Sequence, residues 1–169
     1  MNASGVGFYI LKNIKLHALS NIPPLSNDCE SLWLEILTNQ GNFVLAVVYR
    51  HPVSNHTLFR EMFLNTTRYP SEHKHLYYIC GYFNINLSNF EVESNIKYYV
   101  NSLISLSCKL LISKTTRVSG HSATIIGHMY TNDNKHDILS GIPMYEISDH
   151  LPIFGRMTCL HVAFLCDIA

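Results

Sequence analysis

The chain has 169 residues, close to the roughly 150 residues expected of one domain. Twelve Lys and Arg residues balance twelve Asp and Glu residues, so the formal net charge is zero. This balance excludes a polybasic tail or an acidic solvating chain, although it leaves room for a local basic patch. Hydrophobic residues make up 47% and charged residues only 14%, which excludes intrinsic disorder.

Cysteine spacing and the N-terminal residues indicate a reducing compartment. The five cysteines are odd in number and form no C-x-x-C pair, so neither a disulfide framework nor a zinc knuckle is expected. The N-terminus lacks the pattern of a secretory signal. The longest apolar run, 43–49, is far shorter than the roughly 20 residues of a membrane span. We therefore expect a nuclear or cytoplasmic protein that is neither secreted nor membrane-bound.

Hydrophobic patterning predicts strands and helices in alternation. Residues 42–49 form a near-continuous apolar run, which is typical of a strand buried on both faces. Further strands are predicted at 5–11, 31–37, 75–85 with a break at Gly81, 123–131, 135–145 and 151–158. Helices are predicted at 55–65 and 95–108, where apolar residues recur at helical spacing. The order predicts a layered α/β domain over 1–158 and an apolar C-terminal tail over 159–169.

Four short patches carry the candidate functional residues, and three of them lie at or just beyond the end of a predicted strand. Ligand-binding residues collect at such places in α/β folds. The patches are 49–52, 81–86, 122–127 and 148–152. An Asp-His pair, here Asp149 and His150, can orient a phosphate and ionise a water when Asn and Tyr lie nearby. The oxygen ligands of Asp149 also suit Mg²⁺.

Six stretches, taken together and in this order, resemble the endonuclease domain of LINE-type (non-LTR) retrotransposon polyproteins. This domain belongs to the endonuclease/exonuclease/phosphatase superfamily. The stretches, which run from about Gly5 to Phe154, are GVGFYI, ESLWLEI, VVYRHP, GYFNINL, TTRVSGHSATIIGHMYTN and SGIPMYEISDHLPIF. The resemblance implies a four-layer, DNase I-like α/β sandwich. It also implies Mg²⁺-dependent hydrolysis of DNA phosphodiester bonds, within a polyprotein that includes a reverse transcriptase.

The resemblance also implies roles for individual residues. Tyr49 would hold the scissile phosphate, and Asn84 would position the phosphate and the attacking water. Asp149 would act at the metal, and His150 would stabilise the transition state. These four are the candidate catalytic residues, with Asp149 as the candidate metal ligand. The candidate substrate contacts are Arg50, Arg117 and Ser148.

Three departures from the family pattern predict weak or absent activity. Tyr82 stands where the family has the Asp that activates the water, and tyrosine, with an ordinary pKa near 10, is a poor base at neutral pH. Gly127 stands where the family has an acidic residue that orients the histidine. The N-terminal block with an Asn and a metal-binding Glu has no counterpart before Gly5, so we expect an N-terminally truncated domain.

Other interpretations of the same residues stay open. The chain could be a catalytically dead module that binds DNA or phosphate, a relic without biochemical activity, or a phosphatase of the superfamily. Tyr49 could simply end a buried strand, because tyrosine suits strands. Arg50 and Arg117 could be ordinary surface residues, and zero net charge makes long-range attraction to DNA modest.

Overall fold

The computed structural model describes residues 6–10, 12–23, 25, 27–143, 148–157 and 162–166. Within these ranges the chain forms eleven strands, two α-helices and one short 3₁₀ helix at Leu87–Asn89. The helices are α1 (His56–Glu72) and α2 (Ser94–Ser105). The strands are β1 (Lys15–Ala18), β2 (Cys29–Leu37), β3 (Phe43–Arg50), β4 (Leu76–Tyr82), β5 (Lys109–Leu110), β6 (Arg117–Ser119), β7 (Ser122–Thr124), β8 (Gly127–Thr131), β9 (Ile138–Gly141), β10 (Ile153–Met157) and β11 (Val162–Cys166).

The main sheet has six strands in the order β1-β2-β3-β4-β8-β5. Its two central strands, β3 and β4, run parallel and are joined through α1, whereas the other neighbours pair antiparallel. Most residues of both central strands are buried, as expected of strands covered on both faces. This connection places the carboxyl ends of β3 and β4 side by side at one edge of the sheet.

Three layers are visible in the described part of the chain. The helices cover one face of the main sheet, and a buried cluster that includes Phe59, Phe63 and Phe83 fills the space between them. A three-stranded sheet, β11-β10-β9, covers the other face through a second cluster that includes Ile153 and Met157. The outer layer of helices that a four-layer sandwich would add is not seen among the described residues.

Helix α1 begins where the sequence predicted and ends later. The Asn55 side chain caps it by accepting hydrogen bonds from the backbone N–H groups of Thr57 and Leu58, each at 3.0 Å. The predicted end at residue 65 was wrong, because Thr67 and Pro70 continue the buried face of the helix to Glu72.

No helix among the described residues has the length and apolarity needed to cross a membrane.

Three strand predictions need correction. The described part of the segment predicted as a strand at 5–11, residues 6–10, has no regular structure. The segment 123–131 contains two strands, β7 and β8, separated by Ile125 and Ile126. Strand β4 does not break at Gly81 but continues to Tyr82.

Strand β4 has a glycine at position 81 because a side chain at this position would collide with β3. Its φ is +147°, and a Cβ at this position would lie 1.8 Å from the carbonyl oxygen of Val48 on β3. The glycine therefore marks a close approach of two backbones rather than a strand end.

The described part of the segment predicted as an apolar C-terminal tail forms a strand. Val162–Cys166 pairs antiparallel with β10, with Ile153 opposite Cys166 and Met157 opposite Val162. The end of the described chain is therefore a strand of the second sheet, and buried Cys166 contributes to the cluster between the sheets.

Candidate active site

The site is built on one row of residues across three strands. Tyr49 pairs with Tyr82 in the parallel β3–β4 ladder, and Tyr82 pairs with Gly127 in the antiparallel β4–β8 ladder. Tyr49 and Tyr82 stand at or next to the carboxyl ends of their strands, so the loops that follow begin at the same edge of the sheet. This is the kind of edge at which α/β proteins bind ligands.

Asn84 and Arg50 hold each other at this edge. The Asn84 side-chain amide donates to the Arg50 carbonyl at 2.6 Å, and the Arg50 guanidinium donates to the Asn84 carbonyl at 2.7 Å. Because a carbonyl can only accept, the amide nitrogen of Asn84 must face Arg50. Asn84 has φ of +50°, a left-handed conformation that asparagine tolerates better than most residues. The pair therefore fixes the loop after β4.

Arg50 is a buried structural residue, which corrects the expectation that it contacts DNA. The residue is 0% exposed. The guanidinium also donates to the Phe83 carbonyl at 2.5 Å, to the carbonyl and hydroxyl of Ser54 at 2.9 and 2.6 Å, and to His56 Nε2 at 3.2 Å. All five N–H donors of the guanidinium are thus occupied. Burial lowers the pKa of Arg50 from its ordinary value.

His56 completes the surroundings of Arg50. Because the guanidinium has only donors, His56 Nε2 must accept, and the imidazole is neutral with its proton on Nδ1. Burial, together with the positive charge of Arg50, lowers the pKa of His56 and favours this neutral form.

Ser148, Asp149 and His150 form a tight turn before β10. The Ser148 hydroxyl lies 3.2 Å from both the N–H and the carbonyl of His150, and these hydrogen bonds stabilise the turn. The turn is joined to β6 by two backbone hydrogen bonds, from Val118 N to the Asp149 carbonyl at 2.9 Å and from Leu151 N to the Thr116 carbonyl at 2.8 Å.

Asp149 forms an ion pair with Arg117. The Arg117 Nε lies 2.8 Å from Asp149 Oδ2, and the two side chains are 42% and 40% exposed. The guanidinium of Arg117 holds the pKa of the Asp149 carboxyl below its usual value. His150 Nε2 lies farther from the same carboxylate, 4.0 Å from Oδ1.

Tyr82 supports His150 from the sheet side. Its ring meets the imidazole edge-on, with centroids 4.8 Å apart and an angle of 62° between the planes. Its hydroxyl donates to the Leu151 carbonyl at 2.7 Å. A residue that the sequence marked as a departure from the family pattern is therefore a buried packing and anchoring residue for the turn that carries His150.

The sequence reasoning missed Thr116. It is fully buried, and its hydroxyl oxygen accepts from the backbone N–H groups of Ile126 and Gly127 at 2.9 and 2.8 Å. Thr116 thus ties the segment before β6 to the start of β8. Its position directly before Arg117 within the stretch TTRVSG was the signal that could have identified it.

Tyr49 remains at the margin of this arrangement. Its ring is half-buried and meets the His51 ring edge-on at 5.1 Å between centroids. The structure therefore connects Tyr82, Asp149, His150 and Arg117 through direct contacts and connects Asn84 to Arg50. Tyr49 joins them through its register opposite Tyr82.

The described residues do not fit a Mg²⁺ site. Mg²⁺ is usually held by carboxylate oxygens, and the carboxylate of Asp149 is already paired with a guanidinium. Over the described parts of the chain, no group of three or more His, Cys, Asp or Glu side chains is placed to hold a metal ion. Asp133 cannot supplement the set, because it is buried against Tyr78 and His136, beside the opposite end of β4.

Comparison with solved structures identifies the fold. The endonuclease domain of TRAS1, a telomere-specific non-LTR retrotransposon, superposes with a TM-score of 0.65 over 90% of this chain and 67% of that domain, at 15% identity. The Xenopus laevis APE2 catalytic domain gives a TM-score of 0.56 over 80% of this chain and 57% of that one, also at 15% identity. This chain has the DNase I-like fold of the endonuclease/exonuclease/phosphatase proteins. The resemblance inferred from the six stretches is confirmed at the level of the fold.

The comparisons also show how much of such a domain this chain spans. An endonuclease/exonuclease/phosphatase family protein from Leptotrichia buccalis C-1013-b gives a TM-score of 0.51 at 12% identity, over 88% of this chain and 62% of that one. The DNase I-like chain thus spans about 57 to 67% of the length of these three proteins. No protein-family model and no curated protein matches it.

Proposed function

We propose that this chain is a retrotransposon-type endonuclease domain that keeps the DNA-facing edge of its fold but hydrolyses phosphodiester bonds poorly or not at all. One observation carries the proposal: the buried Tyr82 ring fills the place where the family pattern has a carboxylate. Support for DNA as the ligand comes from the sequence resemblance and from the similarity in fold to the TRAS1 endonuclease domain. In this proposal the domain acts in the nucleus or cytoplasm, in association with a reverse transcriptase.

Tyr82 is poorly suited to activate a water. The ring is fully buried, and the hydroxyl donates its proton to the Leu151 carbonyl. A general base must instead be placed within hydrogen-bond reach of the proton that it removes. The tyrosine therefore stabilises the turn and supplies no base.

The surroundings of His150 also differ from the family pattern. Gly127, at the position of the orienting carboxylate, has no side chain. The Asp149 carboxylate lies 4.0 Å from Nε2 and is held by Arg117. Losing the orienting carboxylate in a Ser-His-Asp enzyme costs about 10⁴ in rate, and we expect a loss of similar order here.

The test is nicking of supercoiled plasmid by the whole chain in the presence of Mg²⁺. His150→Ala is the matched control for contaminating nuclease, and an active nuclease of the same fold shows that the assay works. We expect the wild-type chain and His150→Ala to be indistinguishable while both remain folded by circular dichroism. Nicking by the wild-type chain that His150→Ala abolishes would show that the domain is an active enzyme.

A binding module is the second candidate function, and the Arg117–Asp149 ion pair favours it. An exposed guanidinium at this edge can contact a phosphate without any hydrolytic step.

A further inference from the structure

The guanidinium of Arg117 is only partly used by the protein. Its Nε donates to Asp149, and no other hydrogen bond to this guanidinium comes from the described residues. Arginine has five N–H donors in a planar fork, so several remain for a ligand. With 42% of its side chain exposed, Arg117 presents these donors at the surface of the site. This differs from Arg50, whose five donors are all occupied inside the protein.

The backbone places Arg117 and His150 on the same side of the ladder. The two residues form an antiparallel bridge. The hydrogen bonds from Val118 N and Leu151 N flank them, which makes them a non-hydrogen-bonded pair, the closer of the two pair types. Directly opposite residues of an antiparallel pair project from the same face. A guanidinium and an imidazole, both able to donate to a phosphate oxygen, therefore lie next to each other.

The Asp149 carboxylate is paired with a guanidinium, and this pairing affects how the site can bind a metal ion or a phosphate. A carboxylate that held a metal would attract DNA through the metal. Here the same carboxylate binds a cationic side chain, so the metal and Arg117 would compete for it. The phosphate of DNA and the carboxylate of Asp149 likewise compete for the same guanidinium, and both suit the planar fork of arginine.

We propose that this edge binds a DNA phosphate through Arg117 without a divalent cation, and that Asp149 weakens this binding by competing for the guanidinium. The inference rests on the proposed function, because it takes DNA as the ligand. The guanidinium can exchange the carboxylate for a phosphate readily, because the existing ion pair is exposed and exposed ion pairs are weak.

The proposal makes opposite predictions for Asp149 from those of a metal site. Replacing Asp149 by Asn removes the competing charge, so DNA should bind more tightly, by roughly 2- to 5-fold. If Asp149 instead held a cation that binds the phosphate, the same substitution would weaken binding. Arg117→Gln should weaken binding and lower the slope of log affinity against log salt by about one.

The experiment is fluorescence anisotropy with a labelled DNA duplex and the whole chain, in EDTA and in Mg²⁺, over a range of salt. The variants are Asp149→Asn and Arg117→Gln, with Arg156→Gln as the matched control because Arg156 is an exposed arginine on β10, outside the site. Thermal unfolding of each variant verifies that it is folded. We expect binding in EDTA, tighter binding by Asp149→Asn, weaker binding by Arg117→Gln, and no change for Arg156→Gln.

The outcomes separate this inference from the proposed function. Binding that requires Mg²⁺ and is weakened by Asp149→Asn overturns the inference alone. Binding in EDTA that is equally strong for Arg117→Gln also overturns it, because another group must then hold the phosphate. Absence of DNA binding by the folded chain overturns both the inference and DNA as the ligand. Nicking of plasmid with Mg²⁺ overturns the loss of hydrolysis, whereas the signs of the Asp149 and Arg117 effects in EDTA still decide the inference.

Discussion

Tyr82 and Gly127 face each other across β4 and β8, and the ring of one lies beside the position where the other would have a side chain. A Cβ at Gly127 would lie 3.4 Å from Cε1 of Tyr82 and 3.3 Å from Thr116 Cβ. The two departures from the family pattern therefore lie within van der Waals contact of each other. A large aromatic side chain at one position is accompanied by no side chain at the other.

This proximity predicts a non-additive pair of substitutions. Gly127→Ala should destabilise the wild-type chain, and its cost should fall by about 0.5–1 kcal/mol in the Tyr82→Leu background, where the ring edge is gone. Urea unfolding of the four chains in the cycle measures the difference. Tyr49→Phe, at a neighbouring tyrosine on the opposite side of Tyr82, is the control background and should leave the cost unchanged. Strict additivity of Gly127→Ala and Tyr82→Leu would show that the two positions do not interact.

Gly81 and Gly41 provide a matched pair for the close approach in the sheet. Both have positive φ, but a Cβ at Gly41 meets nothing within 4 Å, whereas a Cβ at Gly81 meets the Val48 carbonyl oxygen. Gly41→Ala should therefore cost only the backbone strain of a positive φ, about 1–3 kcal/mol. Gly81→Ala should cost more than about 4 kcal/mol or prevent folding. Soluble yield and the urea concentration at the midpoint of unfolding measure the two costs. Similar losses of stability for the two variants would contradict the steric explanation.

Arg50 should matter for stability rather than for direct contact with a ligand. Arg50→Met leaves the carbonyls of Phe83, Ser54 and Asn84 without their donor, so we expect a loss of about 3 kcal/mol or more. Arg156→Met, at an exposed arginine, should stay within about 0.5 kcal/mol. Chemical unfolding measures both. Arg50→Lys should rescue little, because an ammonium cannot reproduce the five-donor fork. Equal effects of Arg50→Met and Arg156→Met would be incompatible with the buried network.

His128 should make the stability of the chain depend on pH. It is fully buried, its Nε2 lies 3.0 Å from the Ile85 carbonyl, and Tyr130 contacts its Nδ1. Burial lowers its pKa to about 4. The unfolded chain, with a histidine pKa near 6.5, therefore takes up the proton first. The free energy of unfolding therefore keeps its full value above about pH 6.5 and falls by about 3 kcal/mol as the pH drops towards 4.

Urea unfolding between pH 4 and 8 tests this dependence. His128→Gln should remove most of the slope between pH 6.5 and 4, and His121→Gln, at an exposed imidazole, should keep it. Asp133, whose pKa is lowered through hydrogen bonds that outweigh its burial, adds a loss only at more acidic pH. A wild-type slope that survives in His128→Gln would assign the effect to another group.

The sequence predicted elements correctly where their patterns are typical of one environment. The apolar run at 42–49 is typical of a strand covered on both faces, and β3 has that environment. Asn55, followed by apolar residues at helical spacing, placed the start of α1 correctly. The sequence was less informative at Gly81, because a glycine that ends a strand and one that admits a neighbouring backbone look the same in a sequence.

The residues of the candidate site were likewise predicted in part from the sequence. The spacing of residues in the chain identified the turn at Asp149 and His150 and the loop at Asn84. It could not distinguish a surface arginine from a buried one, so Arg50 and Arg117 received the same role. Their roles diverge because Arg50 lies beneath the loop after β4 and Arg117 lies on a strand at the surface.

Hydrophobic patterning predicted a layered α/β domain, and the resemblance carried by the six stretches implied the DNase I-like fold and the candidate residues at the edge of the sheet. The folded arrangement decided which of those residues are exposed at that edge and which are buried supports for their neighbours. The Tyr82 ring packs against His150, the Thr116 hydroxyl accepts a hydrogen bond from the start of β8, and Arg117 forms an ion pair with Asp149. These relationships join residues that are far apart in the chain, and only the pairing of strands brings them within contact distance.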